Sequence, residues 1–377
     1  MTADFVTPGF ANRVDSAAFA ASVRPDAAGW DARGAVPAEV VKTMARAGFL
    51  AADLPVSAGG TGRTQAGLGE LCADLGGVCG ALRALVTVQG MVAAAVLRWG
   101  TAGQRAGLLP ELAHGEVLAG FAATEAGAGS DLSAVTTSAV REGGQVRVRG
   151  RKLWVTFGQL AGVFLVLAEC AGRPVAVLVE ADRPGTAVEP VRGQLGLRAA
   201  QVAHVRFDGV LVPEENLLAP PGFGLSHVTA TALDHGRFTV AWGCVGMAEA
   251  CLRAAAGHAG TRVQGGVRLA GHQAVRALLG RCLADAAAAR QLCARAADLR
   301  ERGDPEAVAG TVLAKYVAAR AAAAVADRAG QVLGAAGCAE DSLVGRFFRD
   351  AKVMRIIEGA DEVAEQQLGE YALRWRP

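Results

Sequence analysis

Hydrophobic and polar positions change their period twice along the chain. From about Pro37 to Leu118, apolar residues recur every three to four positions, the spacing that lines one face of an α-helix. Val40, Val41, Met44 and Ala45 trace the first such face, and Pro37 suits a first helical turn. Pro55 and the run Gly59-Gly60-Thr61-Gly62 interrupt the pattern; Leu85, Val88, Met91, Val92 and Val96 resume it.

From about Gly120 to Leu218 the period falls to two. Gln145 to Arg149 alternate polar and apolar, as a half-buried strand does. Val163–Leu167 and Val175–Val179 are short apolar runs of buried-strand type, and Val202–Val212 is an extended stretch that stops at Pro213. Gly and Pro punctuate these runs.

From about Gly224 the helical period returns. Val275, Leu278, Leu279, Cys282 and Leu283 form one predicted apolar face. Gly303-Asp304-Pro305 reads as a helix stop and a new start, with Asp304 as N-cap and Pro305 in the first turn. Val308, Val312, Leu313, Tyr316 and Val317 predict the face that follows. The expected class is α+β in three segments: an N-terminal helical domain (1–118), a middle β domain of sandwich or barrel type (119–224) and a C-terminal helical bundle (225–377).

Composition narrows the possible functions. The chain has 377 residues, with 38 Lys+Arg against 36 Asp+Glu. That balance argues against wrapping nucleic acid, which calls for a basic excess. A hydrophobic fraction of 52% argues against intrinsic disorder. The 81 Ala favour helix, and 34 Arg against 4 Lys is the skew of a GC-rich coding sequence. The eight cysteines form no CxxC pair and lie at no zinc-ligand spacing with His, so they read as small buried hydrophobes and no metal is expected. The fourteen uncharged residues between Arg83 and Arg98 fall short of the ~20 that a membrane span needs. No basic leader followed by an apolar run opens the sequence. The expectation is a cytoplasmic protein with no membrane partner.

Three segments carry candidate chemistry. Phe121 to Asp131 mixes glycines and hydroxyls at the entry to the β region; its backbone suits a phosphate or a polar ring, and equally a plain Gly-rich turn. Trp154 and Thr156 share one strand face, as a ligand platform or a core pair. Arg349-Asp350-Ala351-Lys352 leads to Glu358-Gly359, a carboxylate at a helix break beside Ile356 and Ile357. Partial desolvation there would raise its pKa and suit it to proton abstraction; the alternative is a solvated helix-end Glu.

Together these segments resemble the acyl-CoA dehydrogenase family over nearly the whole chain. Thr124-Glu125-Ala126-Gly127-Ala128-Gly129-Ser130-Asp131 is similar to its TEPxAGSD signature, and Trp154-Val155-Thr156 to its WIT motif. Asp208, Val210, Val212-Pro213 and Asn216 resemble FDxVxVPxxN, and Leu233-Asp234-His235-Gly236-Arg237 resembles LDxGR. Arg262 and Gln273 keep the separation of RxxFGxxLxxxQ, Gln331-Val332-Leu333-Gly334 resembles QxLGGxG, and Arg349 through Gly359 resembles RDAxxxxIYEGT.

The resemblance implies the family's fold, a helical N-terminal domain, a β-barrel or sandwich, and a C-terminal four-helix bundle, with FAD bound non-covalently. It implies flavin contacts from Phe121, Ala123, Thr124, Gly129, Ser130, Trp154 and Thr156, and from Ala360, Asp361 and Glu362 after the base. It implies cross-subunit FAD contacts from Arg262, Gln273, Gln331, Gly334 and Ala335, hence a homodimer or homotetramer. Glu358 is the implied catalytic base, and Ser130, Leu233, Asp234, Arg237, Ile357 and Gly359 the implied substrate contacts, with Asp234 and Arg237 toward the pantetheine. Electron-transfer flavoprotein or oxygen is the implied acceptor.

Several positions depart from the pattern. Ala126 replaces the TEP proline, Phe157 the asparagine after WIT, Gly265 the phenylalanine of FG, Ile357 the tyrosine and Ala360 the threonine around EG. With these departures the chain looks more like the subgroup that oxidises short acyl groups on acyl carrier protein, in particular the acyl-ACP dehydrogenases of methoxymalonyl-ACP polyketide extender-unit biosynthesis. Three other readings stand beside it. They are a conventional acyl-CoA dehydrogenase making a 2,3-enoyl-CoA in fatty-acid or branched-chain amino-acid catabolism, a flavin monooxygenase, and a non-catalytic protein that kept the fold. Retention of Glu358 counts against the monooxygenase.

Overall fold

The computed structural model describes residues 15–374. Six helices come first: α1 (Ser16–Val23), α2 (Ala27–Arg33), α3 (Ala38–Arg46), α4 (Gln65–Gly76), α5 (Gly80–Trp99) and α6 (Ala102–His114). Eight strands follow: β1 (Ala119–Ala122), β2 (Ser138–Glu142), β3 (Gln145–Val155), β4 (Val163–Cys170), β5 (Arg173–Glu180), β6 (Thr186–Pro190), β7 (Ala203–Pro213) and β8 (Leu217–Leu218). Their order in the sheet is β6-β7-β3-β2-β4-β5-β8, and β1 pairs in parallel with β4, setting Phe121 opposite Leu165.

A π-helical turn over Gly224–Thr229 feeds the 32-residue α7 (Ala230–Thr261). A short hairpin, β9 (Val263–Gln264) and β10 (Val267–Arg268), leads to α8 (Gln273–Glu301). Then come α9 (Ala307–Leu333), α10 (Leu343–Met354) and α11 (Asp361–Ala372).

One core joins the first and last segments. Helix α4 meets α7 through small residues: a Cβ on Gly246 would lie 1.9 Å from the Ala73 carbonyl, and one on Gly76 would lie 2.6 Å from the Gly243 carbonyl. Backbone therefore touches backbone, which no larger side chain permits. Helix α5 is apolar and long enough to cross a membrane, yet 89% of its apolar window is covered by the rest of the protein. It is a core helix, and Arg83 near its start is buried too. Six of the eight cysteines are buried as expected; Cys170 is partly covered and Cys338 exposed.

Three sequence expectations shift. Pro37 is the N-cap of α3, one residue before the first turn. Helix α9 starts at Ala307 with Glu306 as its N-cap, while the carboxylate of Asp304, two residues before that cap, accepts the Glu306 N–H at 2.8 Å. The predicted outer faces also rotate. Val308 and Leu283 are exposed, whereas Thr311, Ala314, Lys315, Ala318 and Ala322 face the core. Helices α7 and α9 approach closely, so small side chains, not large ones, fill the contact.

The departure at Gly265 has a local reason. Gly265 and Gly266 form the tip of the β9–β10 hairpin with φ of 60° and 79°. A two-residue turn with both φ positive favours Gly-Gly and disfavours phenylalanine.

Candidate active site

The base turn follows α10. The Ile356 and Ile357 N–H groups both close onto the Val353 carbonyl, at 2.9 and 3.0 Å. The chain then turns left-handed, with φ of 56° at Glu358 and 98° at Gly359. A positive φ is strained for Glu and free for Gly. Two cations hold the turn from behind: Arg237 Nε donates to the Glu358 carbonyl at 2.9 Å, and Lys315 Nζ donates to the Gly359 carbonyl at 2.6 Å. The Glu358 N–H makes no hydrogen bond among the described residues.

The Glu358 carboxylate lies against α7 at Gly236, where a Cβ would stand 2.7 Å from Oε2 and 2.9 Å from Met91 Sδ. Oε2 is sealed from solvent without a hydrogen-bond partner. Burial raises the Glu358 pKa to about 7, against the opposing pull of the Arg237, Lys315, Arg83 and His235 charges. A carboxylic acid of that pKa, free of partners, is equipped to take a proton near neutral pH.

The second half of the site is built by β1 and β3. Leu153 N–H donates to the Thr124 carbonyl at 2.9 Å, joining the loop after β1 to the end of β3. Beneath it, Lys152 Nζ meets the Glu125 carboxylate at 2.7 Å and the Ala123 carbonyl at 3.0 Å, with both side chains buried. Glu125 also accepts from the Thr136 N–H, the Thr136 hydroxyl and the Thr137 N–H. Burial alone would raise its pKa; the hydrogen bonds from Lys152, Thr137 and Thr136 prevail and hold it at about 2. Burial brings Lys152 down to about 8.

Above this clamp Trp154 is 55% exposed at φ 60°. Its ring stands edge-on to His204 at 5.2 Å, and its backbone N–H donates to His204 Nδ1. Phe157 takes the left-handed conformation that asparagine adopts easily, at φ 52°, with its ring buried and its N–H on the Ala200 carbonyl. The hydroxyls of Thr124, Ser130 and Thr156 have no hydrogen bond among the described residues. A Cβ on Gly127 or Gly129 would meet nothing within 4 Å. An uncovered Trp, three free hydroxyls and open glycine backbone suit a planar heterocycle with a phosphate tail, and so fit FAD.

Other expected site residues sit elsewhere. Arg262, Gln273, Gln331, Gly334 and Ala335 are exposed, and no hydrogen bond ties their side chains to the Thr124–Trp154 face. Asp234 gives Oδ2 to Arg300, which also stacks over Phe238; its Oδ1 is buried without a partner. The Arg237 Nε, expected toward substrate, is committed to the base turn. The Asp361 side chain is buried and ion-paired to Arg355 at 2.7 Å. Lys315 was not singled out by sequence, and Glu125, His235 and Gly236 were quoted only as motif positions, with neither the Lys152–Glu125 clamp nor the part-buried Asp53–His235 contact at 3.2 Å foreseen. Only the isolated Lys152 and Lys315 in a lysine-poor chain offered a signal.

A helical lobe, a β domain and a helical bundle, with an exposed Trp on one side and a carboxylate of raised pKa on the other, are the arrangement of an FAD-dependent oxidoreductase of acyl thioesters. The comparisons carry this to a family. Family models for the acyl-CoA dehydrogenase N-terminal, middle and C-terminal domains match residues 14–116, 120–210 and 222–373. An acyl-CoA dehydrogenase of Bacillus subtilis is 33% identical, over 89% of this chain and 90% of its own. The solved structure described as FkbI for biosynthesis of a methoxymalonyl extender unit is 39% identical with a TM-score of 0.90, covering 97% of this chain and 100% of that one. Butyryl-CoA dehydrogenase of Megasphaera elsdenii is 27% identical with a TM-score of 0.92, over 99% of this chain and 100% of that one. The chain belongs to the acyl-CoA dehydrogenase family.

Proposed function

We propose that this enzyme oxidises a short, oxygen-bearing acyl thioester held on acyl carrier protein, in the making of a hydroxymalonyl- or methoxymalonyl-type polyketide extender unit. The observation that carries the reaction is the Glu358 carboxylate, whose Oε2 is enclosed without a hydrogen-bond partner and whose pKa burial raises to about 7. The similarity to FkbI, described as serving biosynthesis of a methoxymalonyl extender unit, supports the pathway.

Bound FAD supplies the acceptor for the hydride that leaves the substrate carbon. Phe121, Ala123, Thr124, Gly129, Ser130, Trp154 and Thr156 hold its ring and chain, with Ala360 to Glu362 at the other edge. Glu358 takes the proton from the hydroxyl of a carbinol or hydrated aldehyde while the C–H hydride departs. The Glu358 N–H, unpaired among the described residues, is the donor for the thioester carbonyl. The same base serves Cα–Cβ oxidation of a simple acyl-CoA, the second reading, favoured by the 30% identity to a mouse short-chain acyl-CoA dehydrogenase.

Arg262, Gln273, Gln331, Gly334 and Ala335 reach the FAD of a second subunit, giving a homodimer or homotetramer. Their exposure, and that of Val263, Val267 and Leu283 nearby in sequence, supports this.

Anaerobic flavin bleaching against acyl-ACP and acyl-CoA thioesters tests the reading. Rapid bleaching by a hydroxyacyl-ACP supports it. Bleaching by butyryl-CoA with none from hydroxyacyl-ACP overturns it.

A further inference from the structure

Where the end of α5 meets the turn before α7, an aromatic cluster that the reaction above does not use comes to the surface. The His227 ring stands 4.3 Å from the Phe223 ring and 4.9 Å from the Trp99 ring, and Trp99 lies 6.3 Å from Phe223. The cluster is fixed from beneath. Trp99 Nε1 donates to the Thr231 hydroxyl at 2.8 Å, and that hydroxyl donates to the His227 carbonyl. A Cβ on Gly224 would lie 2.4 Å from the Val175 backbone, so the π-helical turn is pressed against β5. Phe223 is nonetheless 38% exposed. A rigid aromatic group open to solvent is a contact surface for a partner.

Three arginines surround it, each from a different element. Arg98, at the end of α5, sets its guanidinium over the Trp99 ring at 5.5 Å. Arg105 on α6 reaches back to the Leu97 carbonyl. Arg173 opens β5 beside Pro174, whose carbonyl accepts the Gly222 N–H next to Phe223. All three are exposed, and no carboxylate among the described residues forms an ion pair with any of them. Two acids stand at the edge. Glu169 is turned to the Gly172 N–H within its own hairpin, and Glu215 gives its carbonyl to Gln104 on α6.

Arg276 and Arg281 on α8 are equally unpaired among the described residues. What sets Arg98, Arg105 and Arg173 apart is what lies behind them. Helices α5 and α7 run antiparallel here. Met91 flanks the position at Gly236 that the Glu358 carboxylate fills, and further along α5 Trp99 meets Thr231. The stretch from Met91 to Trp99 spans roughly 12 Å of helix. The patch thus stands at the surface about that far from the base, where a substrate tethered to a folded carrier must leave the carrier outside.

We propose that Arg98, Arg105 and Arg173, set around the Trp99–Phe223–His227 cluster, are the docking surface for an acidic acyl carrier protein. The carrier's anionic surface meets the three guanidinium groups. The aromatic cluster forms the centre of the contact, and the prosthetic arm passes inward to Glu358. The inference rests on the reading of a carrier-bound substrate and locates where the carrier sits.

The test is binding of the FAD-loaded enzyme to fluorescently labelled holo-acyl carrier protein, read by anisotropy. Beside it, steady-state kinetics with an artificial electron acceptor compare the hydroxyacyl group on that carrier and on free pantetheine. R98E/R105E/R173E is expected to bind the carrier at least about tenfold more weakly and to raise KM for the carrier substrate by a like factor. Its kcat and its kinetics with hydroxyacyl-pantetheine should stay within about twofold of wild type. Wild-type affinity for the carrier should fall with added salt, as for any contact between exposed charges. R46E, the same reversal on α3, should move neither readout. The proposal is overturned if the triple variant keeps carrier affinity within about twofold or if R46E loses as much. It is also overturned if the triple variant loses acyl-CoA and keeps the carrier, the behaviour of a nucleotide site. Should the triple variant not hold FAD, R98E/R173E is read in the same way. Failure of the docking surface leaves turnover of hydroxyacyl-pantetheine intact, whereas failure of the substrate reading abolishes that turnover in wild type.

Discussion

Gly236 and Glu358 share one space: a Cβ on the glycine would stand 2.7 Å from the carboxylate oxygen and 2.8 Å from its carbon. The residue on α7 is thus a condition for the residue after α10. G236A is expected to retain FAD and most of its thermal stability, yet to displace the base. Misplacing a reacting group by about 1 Å costs on the order of a hundredfold in rate. Steady-state kcat with a bound-flavin spectrum checks it; wild-type kcat in G236A would show that the carboxylate does not act from this position.

The raised pKa of Glu358 sets two pH dependences. The carboxylate form is the base, so single-turnover flavin reduction should climb with pH through about 7 and level off above it. For stability the sign is opposite. The folded state holds a proton that the unfolded Glu has released above its ordinary 4.5, so folding is favoured at low pH and that contribution is lost as pH rises through about 7. E358Q is expected to abolish turnover. Its Tm should gain on wild type by a few degrees between pH 5 and 8. Parallel melts across that range decide.

Lys315 acts on Glu358 in two ways, holding the Gly359 carbonyl at 2.6 Å and pulling the carboxylate pKa down by its charge. K315M should lower kcat, and the pH midpoint of flavin reduction should move upward because a stabilising cation is gone. A lower kcat with an unmoved midpoint would reduce Lys315 to a structural peg.

The Lys152–Glu125 pair is buried on both sides. Removing one partner leaves an uncompensated charge, a loss of about 3–5 kcal/mol. K152M is therefore expected to lower stability by about that amount and to release FAD, since the loop bearing Thr124 rests on the clamp. The double variant K152M/E125L should recover much of the stability. Denaturant melts of the two variants separate these outcomes.

Much of this architecture was legible from period alone. The change from helical spacing to alternation at Gly120 and back at Gly224 matches β1 beginning at Ala119 and the π-helical turn at Gly224. The turn at Glu358 was legible as a carboxylate at a helix break, but the residues alone left a solvated helix-end Glu open, and only the resemblance made it a candidate base. The inner face of α9 was not. Periodicity weighs large apolar residues, and this contact is made mostly of Ala, with Val312, Val325, Val332, one Lys and one Thr. The role of Gly236 was hidden for a related reason: it lies in what touches the glycine from another helix, and a linear pattern carries no such distance. The Gly265 departure looked like a lost contact until the hairpin tip gave it a reason.

Helix α5 also has a consequence for how the chain is made. Its apolar surface is covered by α7 and the strands, which follow it in the sequence. At about 5–20 residues per second, a ribosome would finish α7 roughly ten seconds to half a minute after α5. For that time a sticky helix with a charged Arg83 waits without its cover. A newborn chain truncated before Ala230 would lack the α7 part of that cover, and should be a client for chaperones rather than a folded intermediate.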